Sequence, residues 1–368
     1  MTVDSRERVE QIVAGPAGRV LLARLSGLYM QVADEDPYQI VSNSIPGLVS
    51  DADRDSRTVG ATLALRRAIP EPDVISGMTN EATLAAVVAH LVSNWYFDRV
   101  ATELSLALED VQEVFVDVAK ALTLAPAASW WWTPFARDHQ LYVGSRTGSP
   151  PPSGVIVKRL AEEAGREIAR PIEPIGASSG SASGIWWSIP SSHQLLSTCL
   201  DTKNGLPPTS VFLASDWSPG DEGSGYSVWR SLPKEDARIY EIDRPVDWTN
   251  LVQRYPSSPV GYRPDWERIS RIAGPWIVPD WSLFSEDWDG LYVSIDGFLS
   301  SDGLAQQVES GYTMLAGAVP WQTLWFSDRM ENAVWLYDAD LSNRTGARAL
   351  NADEPPWWRG IGPAGSTT

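Results

Sequence analysis

Seventeen of the 18 tryptophans lie after position 125, and Trp95 alone lies before it. An indole is a large apolar payload with a polar N–H that needs a partner when buried. A chain that concentrates them must build a dense layered core in that region or display flat faces there. The composition therefore divides the chain into residues 1–125, residues 126–350 and a Pro- and Gly-rich tail over 351–368, with the main change expected within 122–140. Charge does not follow that division: 10 basic and 18 acidic residues precede position 126, and 19 and 29 follow.

The first part carries helical periodicity. Val9, Ile12 and Val13, then Val20, Leu21, Leu25 and Leu28, recur at three- and four-residue spacing, with Gly15-Pro16 as stop and restart. Asp34 to Asp55 is a polar, Pro-interrupted connection, and further helices are predicted over 57–68, 80–92 and 108–122. The second part changes period. Short β-type runs are predicted at 141–143, 185–189, 195–200, 210–214, 238–242, 291–295, 323–326 and 333–337, with helices over 155–169, 247–255 and 265–272. Three segments, Pro245-Val246-Asp247-Trp248, Pro264-Asp265-Trp266 and Pro279-Asp280-Trp281, read as helix starts, since Pro presets the first turn and Asp faces the positive end of the macrodipole. The fold class expected is α+β: an N-terminal helical bundle followed by a Trp-rich mixed or antiparallel β-sheet domain with helices.

A net charge of −18 opposes a large phosphate-contacting face, so neither nucleic acid nor an anionic membrane is an expected partner. Arg263, Arg268 and Arg271 would be the source of any basic patch. The cadence of Thr102 to Val111 resembles a helix-turn-helix, but its second helix carries Glu109, Asp110, Glu113 and Asp117 against Lys120, which suits packing and not base readout. Asp51, Asp53 and Asp55 imitate half an EF-hand loop, with Ser56 where the turn glycine belongs and Thr62 where the bidentate Glu belongs. The pentapeptides 144–148 and 180–184 have Arg146 and Ala182 at the centre, so neither is a nucleophile elbow, and no phosphate-cradling or dinucleotide glycine motif occurs. One Cys and three His leave no disulfide framework and too few soft ligands for a typical zinc site, so any metal would have to be held mainly by oxygen ligands, and none is expected. The charged start, Met1 to Glu10, and the lack of an 18-residue apolar window point to a cytoplasmic protein.

Candidate chemistry is sparse. His139 and His193 each stand alone as possible bases, and Cys199 sits in a β-type run as a small hydrophobe. Trp130-Trp131-Trp132, Trp186-Trp187 and Trp357-Trp358 either fill a sheet core or offer stacking surfaces for a flat ligand. Leu141-Tyr142-Val143-Gly144-Ser145-Arg146, Leu196-Ser197-Thr198-Cys199 and Met330-Glu331-Asn332-Ala333-Val334-Trp335-Leu336 stand in the chain order of an Arg element, a Ser-Thr element and a late Glu strand. In this they resemble ADP-ribosyltransferases, with Cys199 replacing a third hydroxyl residue. The resemblance implies an NAD-consuming activity with Glu331, Arg146 and Ser197 as catalytic residues, and with Trp186, Trp187 and Thr198 against the cofactor; Glu331 would orient the ribose and stabilise positive charge as nicotinamide leaves. Segments such as Trp288-Asp289-Gly290-Leu291-Tyr292-Val293 also resemble an uncharacterised actinobacterial group, which implies no activity. Two other functions fit the composition. An acidic binding protein, such as an antitoxin or immunity factor, would cover a basic partner, and a carbohydrate-binding or hydrolysing protein would use Trp platforms with carboxylates such as Glu286 and Asp289.

Overall fold

A computed structural model describes residues 3–30, 84, 88, 109–145, 155–170, 186–190, 195–200, 226–260 and 263–339. Helix α1 (Val3–Ala14) and helix α2 (Pro16–Met30) are separated at Gly15-Pro16, as the sequence predicts. A 3₁₀ segment, Glu109–Phe115, leads into α3 (Val116–Leu124), and a second, Pro126–Trp132, carries the Trp triplet. Then come β1 (Gln140–Ser145), α4 (Val155–Ala169), β2 (Leu196–Leu200), β3 (Tyr226–Arg230) and β4 (Ile239–Ile242). Helices α5 (Pro245–Arg254), α6 (Pro264–Ser270) and α7 (Trp281–Asp287) precede β5 (Gly290–Val293) and α8 (Ile295–Ser301). The hairpin β6 (Ala305–Val308) and β7 (Gly311–Met314) stands apart, and β8 (Gln322–Trp325) and β9 (Val334–Ala339) complete the described strands.

Seven strands form one mixed sheet in the order β4-β5-β8-β2-β1-β3-β9, in which β4 and β5 are parallel and every other neighbour is antiparallel. The class is therefore mixed α+β. Joining two parallel neighbours requires a crossover, and α5, α6 and α7 supply it. All three begin at the Pro-Asp-Trp theme. Asp247 accepts from the backbone N–H of Asp243 and Arg244 (3.1 and 2.9 Å), and Asp280 caps α7 by accepting from Ser282 and Leu283 (3.0 and 3.2 Å). The Trp of each theme is buried and pinned by its indole N–H: Trp248 to Thr313 Oγ1, Trp266 to the Trp186 carbonyl and Trp281 to the Ser188 carbonyl.

Helices α1 and α2 pack on each other, on α3 and on α8. The corner between them lies so close to α8 that a Cβ at Gly15 would collide with the Leu299 carbonyl oxygen; α8 in turn lies on the end of β4, where a Cβ at Gly297 would strike the Ile242 carbonyl. Apolar residues on both sides of position 125, from Val9, Ile12 and Leu21 through Trp131 to Trp281, Phe284 and Leu324, belong to one continuous cluster. Trp131, Trp248, Trp266, Trp276, Trp281, Trp321 and Trp325 are fully buried within it or within the neighbouring cluster. Arg263 is also fully buried and donates to the Ile168 carbonyl (2.6 Å) near the negative end of α4.

Several local expectations need correction. Residues 186–190 are not a strand, because Ser188 instead bonds to Ala316 through both backbone and hydroxyl (3.0 and 2.8 Å). The expected 291–295 run ends at Val293, where Ser294 caps α8 through Gly297 N–H (3.0 Å). Residues 109–115 form 3₁₀ turns where an α-helix was predicted. Strands β3, β6 and β7 were not expected. Of the predicted 80–92 helix only Leu84 and Val88 are described, both helical and buried. The 34–55 connection with its Asp triplet, the 57–68 helix, the 210–214 run, His193 and the 351–368 tail with Trp357 and Trp358 lie outside the described residues.

Candidate functional site

The carboxyl ends of parallel strands are where a sheet leaves a crevice between the helices that follow them. Here β4 and β5 end side by side, and the chain turns into α5 after one and α8 after the other. Ser294 ties the two ends together by donating from N–H and hydroxyl to the Ile242 carbonyl (3.1 and 3.2 Å). A cleft of about 290 Å³ opens above them. Its floor is Asp243, Arg244, Ser294 and Asp296; one wall is the segment Trp131 to Pro134, and the other is α1 through Glu7, Arg8 and Gln11.

The Trp wall is rigid. Trp131 is fully buried and meets Trp130, Trp132 and Trp321 edge-on, while Trp130 lies 4.8 Å from Trp321. Trp321 holds its backbone at φ 62°, a left-handed conformation uncommon for a bulky residue, and its N–H donates to the Val293 carbonyl (2.7 Å). The cleft's charge is mixed. Arg8 Nε donates to both Asp296 carboxylate oxygens (3.0 and 2.9 Å), and its guanidinium lies 4.7 Å above the Trp132 ring. Glu7 accepts from the Gln11 amide (3.1 Å), and Arg244 lies 3.8 Å from Asp247. The Asp243 carboxylate has no cationic partner among the described residues.

Beneath the floor, Tyr292 on β5 pairs with Glu241 on β4. Its hydroxyl is buried without a hydrogen-bond partner among the described residues, and burial, followed by the nearby charges of Asp243, Glu241 and Asp296, pushes its pKa strongly up. Burial also raises the Glu241 carboxyl, which accepts from the Phe135 N–H (3.3 Å). Tyr292 is therefore held neutral near the negative cluster.

The residues singled out from the sequence lie elsewhere. Thr198 is 1% exposed, and its hydroxyl is consumed inside the sheet: it donates to Gln140 Oε1 (2.7 Å) and accepts from the Trp325 indole (2.9 Å). Ser197 is half-buried on β2. Glu331 is exposed in the irregular segment before β9, its N–H donating to the Leu232 carbonyl (2.7 Å). Strands β1 and β3 stand between them, about 14 Å of sheet at about 4.8 Å per strand. Continuing the β1–β2 register puts Ser197 level with Val143 and Val228, four residues short of Leu232, about 13 Å further along the strands. The sheet thus does not bring Ser197 and Glu331 together, and Arg146 lies outside the described residues. Trp186 and Trp187 are half-buried, perpendicular to each other at 5.9 Å and packed on the Gly317 turn.

Four further candidates have places in the fold. Cys199 is buried with Leu141 and Val228, and His139 lies 3.4 Å from Asp138. Asp289 is 4% exposed and accepts from Ser327 Oγ (2.6 Å) and Arg238 N–H (2.9 Å), which ties the start of β4 to the end of β8; the Glu286 carbonyl receives the Arg238 guanidinium. Among the described residues no group of three or more His, Cys, Asp or Glu could hold a metal ion, and no helix is long and apolar enough to cross a membrane.

The cleft residues escaped sequence reading because four segments build it, around positions 7–11, 131–134, 243–244 and 294–296. The one local signal was Asp243-Arg244 directly before a Pro-initiated helix and after a β-type run. Comparison with family models, curated proteins and solved structures finds no match for this chain.

Proposed function

We propose that the protein is a non-enzymatic binding protein of the cytoplasm whose cleft, lined by Glu7, Asp243 and Asp296 against Arg8 and Arg244, receives a basic segment of a protein partner, as an antitoxin or immunity factor would. The observation that carries this reading is the Asp243 carboxylate, set with no cationic partner among the described residues at the carboxyl ends of β4 and β5, in a cleft that Glu7 and the Trp131 to Pro134 wall also line. A chain of net charge −18 also attracts cationic partners over a long range and speeds their encounter. In this reading residues 1–125 form a helical bundle whose first helix supplies the outer wall of the cleft.

Calorimetric titration with an octa-arginine peptide at physiological salt tests it. The wild type should bind, and Asp243→Asn with Glu7→Gln should bind about tenfold more weakly, a loss of about 1.4 kcal/mol. Glu235→Gln with Glu309→Gln, which removes two exposed carboxylates outside the cleft, should bind as the wild type does. Equal weakening by both pairs would reduce the effect to bulk charge and overturn the reading.

The ADP-ribosyltransferase-like reading, with NAD as substrate, rests on the chain order of the Arg, Ser-Thr and Glu elements. Nicotinamide release from NAD that is abolished in Glu331→Ala would establish it in place of the binding reading.

A further inference from the structure

We propose that Asp296 and Trp132 form a guanidinium subsite that Arg8 fills in cis and that an arginine of the partner takes over in trans, so that the Arg8 side chain is a displaceable latch on the cleft. This rests on the cleft being the binding site. A carboxylate paired with an aromatic face is a strong arrangement for a planar cation, because the fork of N–H donors meets the two oxygens while the ring quadrupole attracts the charge. Arg8 uses this site with one donor: its Nε is shared between the two Asp296 oxygens at 2.9 and 3.0 Å, and the ring of Trp132 lies 4.7 Å away, so an incoming guanidinium can present its full fork where Arg8 presents one N–H.

Two observations argue that this contact can exchange. The side chains of Arg8 and Asp296 are each 20% exposed, so a guanidinium arriving from solvent can reach them. Helix α1 does not depend on the pair, since Val9, Ile12 and Val13 are buried in the main core and fix the helix whether or not Arg8 is engaged. Arg8 can therefore swing away without unseating α1. The subsite lies in the same cleft as Asp243, so a basic segment carrying two arginines could engage both carboxylates once Arg8 has moved.

A ligand that must first displace an internal competitor binds with its affinity reduced by the fraction of molecules in which the site is open. Arg8→Ala should therefore tighten octa-arginine binding about fivefold or more, where a bulk-charge argument gives a smaller gain that Arg6→Ala, on the exposed face of α1, would match. Arg8→Met, which keeps the aliphatic stem, should tighten binding likewise. A second readout does not use the peptide: millimolar methylguanidinium should raise the melting temperature of Arg8→Ala, and should leave the wild type and Arg8→Ala/Asp296→Asn unmoved. Weaker binding by Arg8→Ala, or the same gain from Arg6→Ala, overturns the latch. If octa-arginine binds no variant while methylguanidinium still stabilises Arg8→Ala, the subsite stands and the partner reading of the cleft fails; if methylguanidinium has no effect, the subsite falls.

Discussion

Replacing Thr198 with Val keeps side-chain shape and removes one hydroxyl from the centre of the sheet. That hydroxyl is donor to Gln140 Oε1 and acceptor for the Trp325 indole N–H, and all three groups are buried. After the change Gln140 Oε1 keeps the Thr323 hydroxyl (3.3 Å), whereas the Trp325 N–H loses its partner. An orphaned buried donor costs about 1–3 kcal/mol, and the lost hydroxyl–amide bond adds about 1 kcal/mol, giving about 2–4 kcal/mol in total. At about 2 °C per kcal/mol for a chain of this size, the melting midpoint should fall by about 4–8 °C. Ser197→Ala, one residue away on a half-buried face, should stay within about 0.5 kcal/mol of the wild type. Urea unfolding followed by tryptophan fluorescence and by circular dichroism measures both. A Thr198→Val protein as stable as the wild type, or a Ser197→Ala protein equally weakened, would refute the assignment of Thr198 to the sheet's internal network.

Two further outcomes follow from buried groups. Burial pushes the Asp289 carboxyl up, but hydrogen bonds from Ser327 and Arg238 outweigh it and hold the group below the usual carboxylate range. Its stabilising contribution is therefore complete above the unfolded pKa and is lost as pH falls through the lower folded value, so Asp289→Asn should be less stable than the wild type near neutrality and should flatten the acid limb of a stability–pH curve; an unchanged acid limb would contradict this. Tyr292→Phe removes a buried hydroxyl that has no partner among the described residues, and its unfolding free energy should be unchanged or up to about 1 kcal/mol higher; a loss of stability would show that the hydroxyl is bonded in solution.

The parts of the fold that were legible in the sequence are those fixed by neighbours in the chain. Gly15-Pro16 broke a helix where backbone sterics require it, and the three Pro-Asp-Trp themes started helices because Pro, Asp and the macrodipole act within one turn. The fates of individual tryptophans were not legible, since burial of Trp131 or Trp276 depends on elements far away in sequence. The run 185–189 has β propensity, but the Ser188 bonds to Ala316, 128 residues away, override it. The Ser-Thr element lies on a strand, as expected, yet only strand order reveals that β1 and β3 separate it from Glu331. The cleft likewise depends on topology: Arg8 and Asp296 are 288 residues apart, and no spacing rule could pair them.

The 18 indole N–H groups offer the most direct test that the cleft is where a basic partner binds. Trp131 and Trp132 line it, whereas Trp248, Trp266 and Trp281 are buried away from it with their N–H groups already bonded. In a ¹H–¹⁵N spectrum titrated with octa-arginine, the Trp132 indole signal, assigned by its loss in Trp132→Phe, should shift saturably, Trp131 should shift less, and the signals of Trp248, Trp266 and Trp281 should stay in place. Saturable shifts centred on Trp186 and Trp187 with Trp132 stationary would contradict this and place the binding surface elsewhere.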